Sequence, residues 1–175
     1  MLIDSRWLPV LLLNLLLVLA TQYVNGLLSS YLLHLYINAA LVIAPALLLG
    51  LRGGLGVIVV TSIFYDAGTT GAFGLAVPMM LTAFIFIYLT RSTVKQPDAT
   101  QILITSILTN TLLFAVHAFA YYSGHAATGQ YIADQLLNHI LSNLAVSLVS
   151  LHITPLNRSL LDILNLNTHS ADYMT

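Results

Sequence analysis

The sequence predicts an all-α fold, a polytopic transmembrane bundle of six helices, on three observations. Of 175 residues, 58% are hydrophobic and only 6% charged, against about 25% charged in chains that must solvate a globular surface. Long apolar, Leu-rich runs follow one another without the roughly ten-residue apolar/polar alternation of an outer-membrane barrel. All five Lys and Arg residues fall outside those runs, at the two ends of the set and in alternate connections. Since a crossing helix needs about 20 residues for about 30 Å of hydrocarbon, this length accommodates six short-looped spans and no sizeable extramembrane domain.

The runs read as spans at about 7–28, 31–49, 53–65, 71–90, 101–122 and 131–153, a single transmembrane domain over 1–165 followed by a polar, flexible tail at 166–175. The first run follows Asp4 and Arg6 and could imitate a signal peptide. It leads through Ala20 into Tyr23 and Val24 without a small-residue cleavage site, so it reads as a retained span. The third run is short. Arg6, Arg52, Arg91, Lys95 and Arg158 all lie on one side of a six-span plan, and the connections near Ser29, 66–70 and 123–130 carry no cation. The positive-inside rule makes the cation side, with both termini, cytoplasmic. Trp7 at one boundary and Tyr23, Tyr31, Tyr65, Tyr121, Tyr122 and Tyr131 at the other match an interfacial aromatic belt.

Several functions are excluded or unsupported by composition. A net charge of −1 offers no basic face to nucleic acid. Without cysteine there is no disulfide framework, thiolate site or cysteine nucleophile. All acids are Asp, so H-E-x-x-H is impossible, and no P-loop occurs. Ser123-Gly124 lacks the first glycine of the G-x-S-G element of rhomboid-type proteases. The chain therefore reads as non-enzymatic and without cofactor or metal. His117, His125, Asp134 and His139 form no compact ligand motif.

The densest unusual segment runs from Gly50 through Arg52, Gly53, Gly54 and Gly56 to Tyr65, Asp66, Gly68, Gly71 and Gly74. Gly50 and Gly54 have the G-x-x-x-G spacing that lets helix backbones approach, and they flank the turn at Arg52. Asp66 has two readings. At an interface it would cap the fourth span, accepting from the free N–H groups of 67–70; buried, it would need hydroxyls such as Thr69 or Thr70, or a partner protein. His34 with Asn38, Asn110 with His117, and His139 with Asn143 are spaced to share helix faces, which suits interhelical hydrogen bonds of about 0.6 kcal/mol each. The same faces could line a substrate pocket.

The segment Pro45 to Gly56, continuing through Tyr65-Asp66-Ala-Gly-Thr-Thr-Gly-Ala-Phe-Gly74, resembles the MreD family of rod shape-determining proteins. The likeness covers a glycine-bearing third span, an Asp at its outer end, a Gly-containing turn and a fourth span ending at basic Arg91; size and span number also fit. The inner loop departs from the pattern, with only Arg52 for charge. The resemblance implies a bacterial inner-membrane scaffold of the elongation machinery. Such a scaffold contacts an MreC-like bitopic protein and a RodA-like synthase with its penicillin-binding partner, and MreB filaments indirectly. It also implies Asp66, Gly71 and Gly74 as functional positions, with Gly50 and Gly54 as close-packing candidates. The six-helix plan is similar, too, to substrate-binding subunits of energy-coupling factor transporters, which implies the alternative of a vitamin-like solute binder. A scaffold should present a lipid-facing groove lined by glycines; a binder should gather His34, Asn38, Asn110, His117 or His139 around a cavity.

Overall fold

The structure, a computed structural model, describes residues 5–68, 74–91, 98–122 and 129–166. Six α-helices follow in order: α1 (Trp7–Leu28), α2 (Asn38–Leu48), α3 (Leu51–Ala67), α4 (Ala76–Thr90), α5 (Ala99–Tyr122) and α6 (Gly129–Ile163), with one 3-10 turn at Ser29–Tyr31. No strand occurs among the described residues. The fold is the expected all-α bundle. α1, α5 and α6 are long and apolar enough to cross a membrane, and α2 and α4 are shorter apolar helices. Arg6 caps the start of α1, Arg52 opens α3 and Arg91 caps the end of α4, so these cations gather at what is called here the Trp7 end. Lys95 lies outside the described residues.

α2 occupies the centre and touches all five other helices. Every residue from Ile37 to Ala46 is buried. A helix apolar all round belongs in the middle of a bundle, and Ala39, Ala40, Ala44 and Ala46 let neighbours approach on several sides.

The second run departs from the expected single helix over 31–49. Leu32 turns left-handed at φ 58°, and the backbone stays non-helical through 33–37 before α2 begins. Such backbone covers up to ~3.3 Å per residue against 1.5 Å in a helix, so the short α2 and its lead-in together reach as far as a longer helix would. In a bilayer this is tolerable only where protein supplies the missing hydrogen bonds. Here it does. The Leu33 N–H donates to the Leu28 carbonyl (3.3 Å), the His34 N–H to Asn138 Oδ1 (3.1 Å), and the Tyr36 N–H to Ser142 Oγ (2.9 Å). Asn25 of α1 clamps Leu35 from both sides, its Oδ1 accepting the N–H at 2.8 Å and its Nδ2 donating to the carbonyl at 3.0 Å. His34 and Asn38 therefore do not share a helical face.

Side chains complete α2 as well. Pro45 has no N–H, which leaves the Leu41 carbonyl without its intrahelical donor; Asn14 Nδ2 of α1 fills the place at 2.8 Å. At the far end Arg91 Nη1 donates to the Ala46 carbonyl (2.8 Å) and the Leu49 carbonyl (2.7 Å), satisfying orphan C-terminal acceptors and opposing the helix dipole. Tyr88 holds the guanidinium 3.9 Å above its ring centroid. α6 also differs from expectation: it continues past 153 to Ile163, carrying Pro155 within it. There Leu161 packs with Val10, Leu49 and Val57 in a second apolar cluster at the Trp7 end.

Two outcomes test this architecture. Asn25→Ala should lower stability by about 2–4 kcal/mol by orphaning both Leu35 backbone groups, read as a fall in unfolding midpoint in mixed micelles. Asn14→Leu should be destabilising in the native background and distinctly less so with Pro45→Ala, which restores an N–H to Leu41; a double-mutant cycle of midpoints measures the coupling.

Candidate functional site

Asp66, in the last turn of α3, is a buried residue, only 5% exposed. Oδ2 accepts the Gly74 N–H at 2.8 Å, and the Ala76 N–H lies 3.2 Å from Oδ2 and 3.3 Å from Oδ1. Both readings of this residue thus meet: it is buried, and it caps the first turn of α4 from the preceding helix. The donors lie farther along than 67–70, and Thr69, Thr70 and Gly71 are outside the described residues. Gly74 has φ +95°, a left-handed conformation that an L side chain adopts only under strain, so the turn that presents its N–H to Asp66 depends on glycine there.

Gly50 and Gly54 are not equivalent. Gly50 stands outside the helix as the extended N-cap of α3, its carbonyl accepting the Gly54 N–H at 2.9 Å. Gly54 is buried, and a Cβ there would overlap the ring of Phe84 on α4. Gly54 alone packs α3 against α4 within the chain; a Cβ at Gly50 would meet open space.

An outward concavity exists elsewhere. α4 and α5 touch sparsely, and between them opens an apolar groove of about 540 Å³. Leu75, Pro78, Thr82 and Phe86 line one wall, Leu108 and Leu112 the other. Its lining contains no glycine, contrary to the expected glycine-lined groove. Leu75 precedes α4 by one residue, so the Asp66 turn fixes where this wall begins.

A second concentration of chemistry surrounds the unwound segment. Tyr36 packs against His34 (centroids 4.8 Å apart), Phe114 (5.4 Å) and His117 (5.4 Å), and Phe114 stacks on His139 at 4.5 Å. Asn110 Nδ2 donates to Asn143 Oδ1 (3.0 Å), which orients Asn143 to donate toward His139 Nε2 (3.2 Å). In the neutral ring that puts the proton on Nδ1. The Tyr65 hydroxyl is hydrogen-bonded to the Asn38 side chain. Asn38 Oδ1, Asn110 Oδ1 and His139 Nδ1 are buried with no protein partner. The sequence pairing of His139 with Asn143 is realised, whereas Asn110 and His117 serve different neighbours. No group of three metal-ligating residues occurs among the described residues, and His125 lies outside them.

Asn14, Asn25, Asn138 and Ser142, which complete α2 and its lead-in, were not singled out by motif; the available signal was amide and hydroxyl side chains inside otherwise apolar spans. No family model, curated protein or solved structure matches the chain.

The Asp66 turn makes a graded expectation. Asp66→Asn keeps one acceptor and should cost about 1 kcal/mol, whereas Asp66→Leu loses both capping bonds and should cost about 3 kcal/mol or more. Gly74→Ala should fall between them through backbone strain alone. Unfolding midpoints of the three variants check the order.

Proposed function

We propose that the protein is a non-enzymatic scaffold of the bacterial cell-elongation machinery, similar to MreD. In this reading it sits in the inner membrane with both termini cytoplasmic. It joins an MreC-like bitopic protein to a RodA-like synthase and its penicillin-binding partner, with MreB filaments held indirectly. The observation that carries the reading is the apolar groove between α4 and α5: its walls belong to apolar helices, and a transmembrane helix from a partner would bury both. The hairpin of α3 and α4, on which the resemblance rests, supplies one wall and is pinned by Asp66. The orientation is supported by Arg6, Arg52 and Arg91 at one end of the bundle.

A second reading, a small-solute binding subunit, is favoured by the ring cluster of His34, Tyr36, His117, Phe114 and His139 beside buried amide oxygens without protein partners. One experiment separates the two. Affinity purification from gently solubilised membranes, with mass spectrometry of proteins and small molecules, should recover MreC- and RodA-like proteins. Thr82→Trp, which fills the groove from an exposed position, should reduce their recovery about tenfold, the loss of roughly 1.4 kcal/mol of binding, at unchanged expression. A stoichiometric small molecule with no wall-synthesis protein would sink the scaffold reading.

A further inference from the structure

The Trp7 end of the bundle contains an apolar layer of Val10 on α1, Leu49 after α2, Val57 on α3 and Leu161 on α6. One helical turn further into the bundle the chemistry changes on three of these elements at once. Asn14 follows Val10 by four residues, Thr61 follows Val57 by four, and Asn157 precedes Leu161 by four. Since α1 and α3 run away from this end and α6 runs toward it, the three side chains share a level. Asn14 Nδ2, bonded to the Leu41 carbonyl, also lies 3.5 Å from Thr61 Oγ1.

α6 extends the polar layer along one face. Ser150, Thr154 and Asn157 are spaced by four and three, which aligns them, and the same face continues outward to Ser142 and Asn138 at the unwound segment. All three are buried, as is Asn14. Asn157 Nδ2 donates to the Ile153 carbonyl at 2.8 Å, so the amide nitrogens of both asparagines are occupied. Their Oδ1 atoms, together with Ser150 Oγ and Thr154 Oγ1, are buried and make no hydrogen bond within the protein. Several such oxygens left dry would consume a large share of a domain's small net stability.

The chemistry of these atoms selects what satisfies them. Two are amide acceptors and two are hydroxyls able to donate or accept, and the three on α6 are spread over about two helical turns, so what satisfies them must donate and accept at several points. All four are uncharged, and Arg91 already places a positive charge on the Leu49 carbonyl in the adjacent layer, 2.7 Å away, which disfavours a metal cation. We propose that Asn14, Ser150, Thr154 and Asn157 form a built-in site for a small cluster of water molecules, which joins the first helix to the last through the interior of the bundle.

The test uses the full chain in deuterated-lipid bilayers. Water-edited solid-state NMR should carry water magnetisation rapidly to the side-chain amides of Asn14 and Asn157 and slowly to Ala83 and Phe84, which lie in the apolar core. Thr154→Val should lower the thermal midpoint by about 2–4 °C and slow the transfer to Asn14. If the layer is dry, the sign reverses: Thr154→Val raises the midpoint because it removes an unsatisfied hydroxyl. That result, or absence of water transfer to both amides in the native protein, overturns the proposal. A midpoint raised by sodium chloride and not by choline chloride would give the site to a cation and overturn it equally.

Discussion

Backbone that leaves the helix inside an apolar bundle must find its hydrogen bonds in the protein, and that constraint organises this chain. Four successive N–H groups from Leu33 to Tyr36 have partners, two of them drawn from α6 and two from α1. Once this segment is held, α2 can be short and central, and the other helices ring it. Other polar side chains of the spans complete backbone in the same way. Asn14 replaces the N–H that Pro45 lacks, and Arg91 stands in for the missing next turn at the end of α2.

Much of this order was legible in the sequence, and what was not has a physical reason. Composition and uninterrupted Leu-rich runs were enough for an all-α bundle, because only helices and closed barrels satisfy their own backbone in lipid. An acid before a Gly-rich turn was enough to single out Asp66, with capping and burial both open; the donors it meets, Gly74 and Ala76, were not among those expected at 67–70. The break at Leu32 was not legible, since hydropathy is the same for a helix and for apolar residues in irregular backbone, and two of the residues that make the break tolerable lie over a hundred positions away on α6. The reach of α6 past 153 was hidden for a related reason: Asn157, Arg158 and Asp162 break the apolar run and so end a span read by hydropathy, while the buried stripe of Thr154, Asn157 and Leu161 continues along the helix.

The candidate site was legible in parts. Gly54 was correctly a close-packing position, but spacing does not say which neighbour approaches, and Phe84 from α4 takes the space. The groove between α4 and α5 could not have been read at all. Leu108 and Leu112 are ordinary apolar residues in sequence, and the concavity depends on how sparsely the two helices touch. The ring cluster was visible as histidines and amides; its centre, Tyr36, belongs to the segment that sequence patterning assigned to a helix.

The bonds from Asn138 and Ser142 to the His34 and Tyr36 backbone also set the order in which the chain can mature. A nascent chain that has emerged only through α5 has its central segment at membrane depth without two of the donors' acceptors, and without the closing contact from Leu161. Insertion of early spans therefore cannot be equivalent to folding. The last helix is the staple that closes the bundle, and a chain stalled before it keeps polar backbone unpaired at its centre.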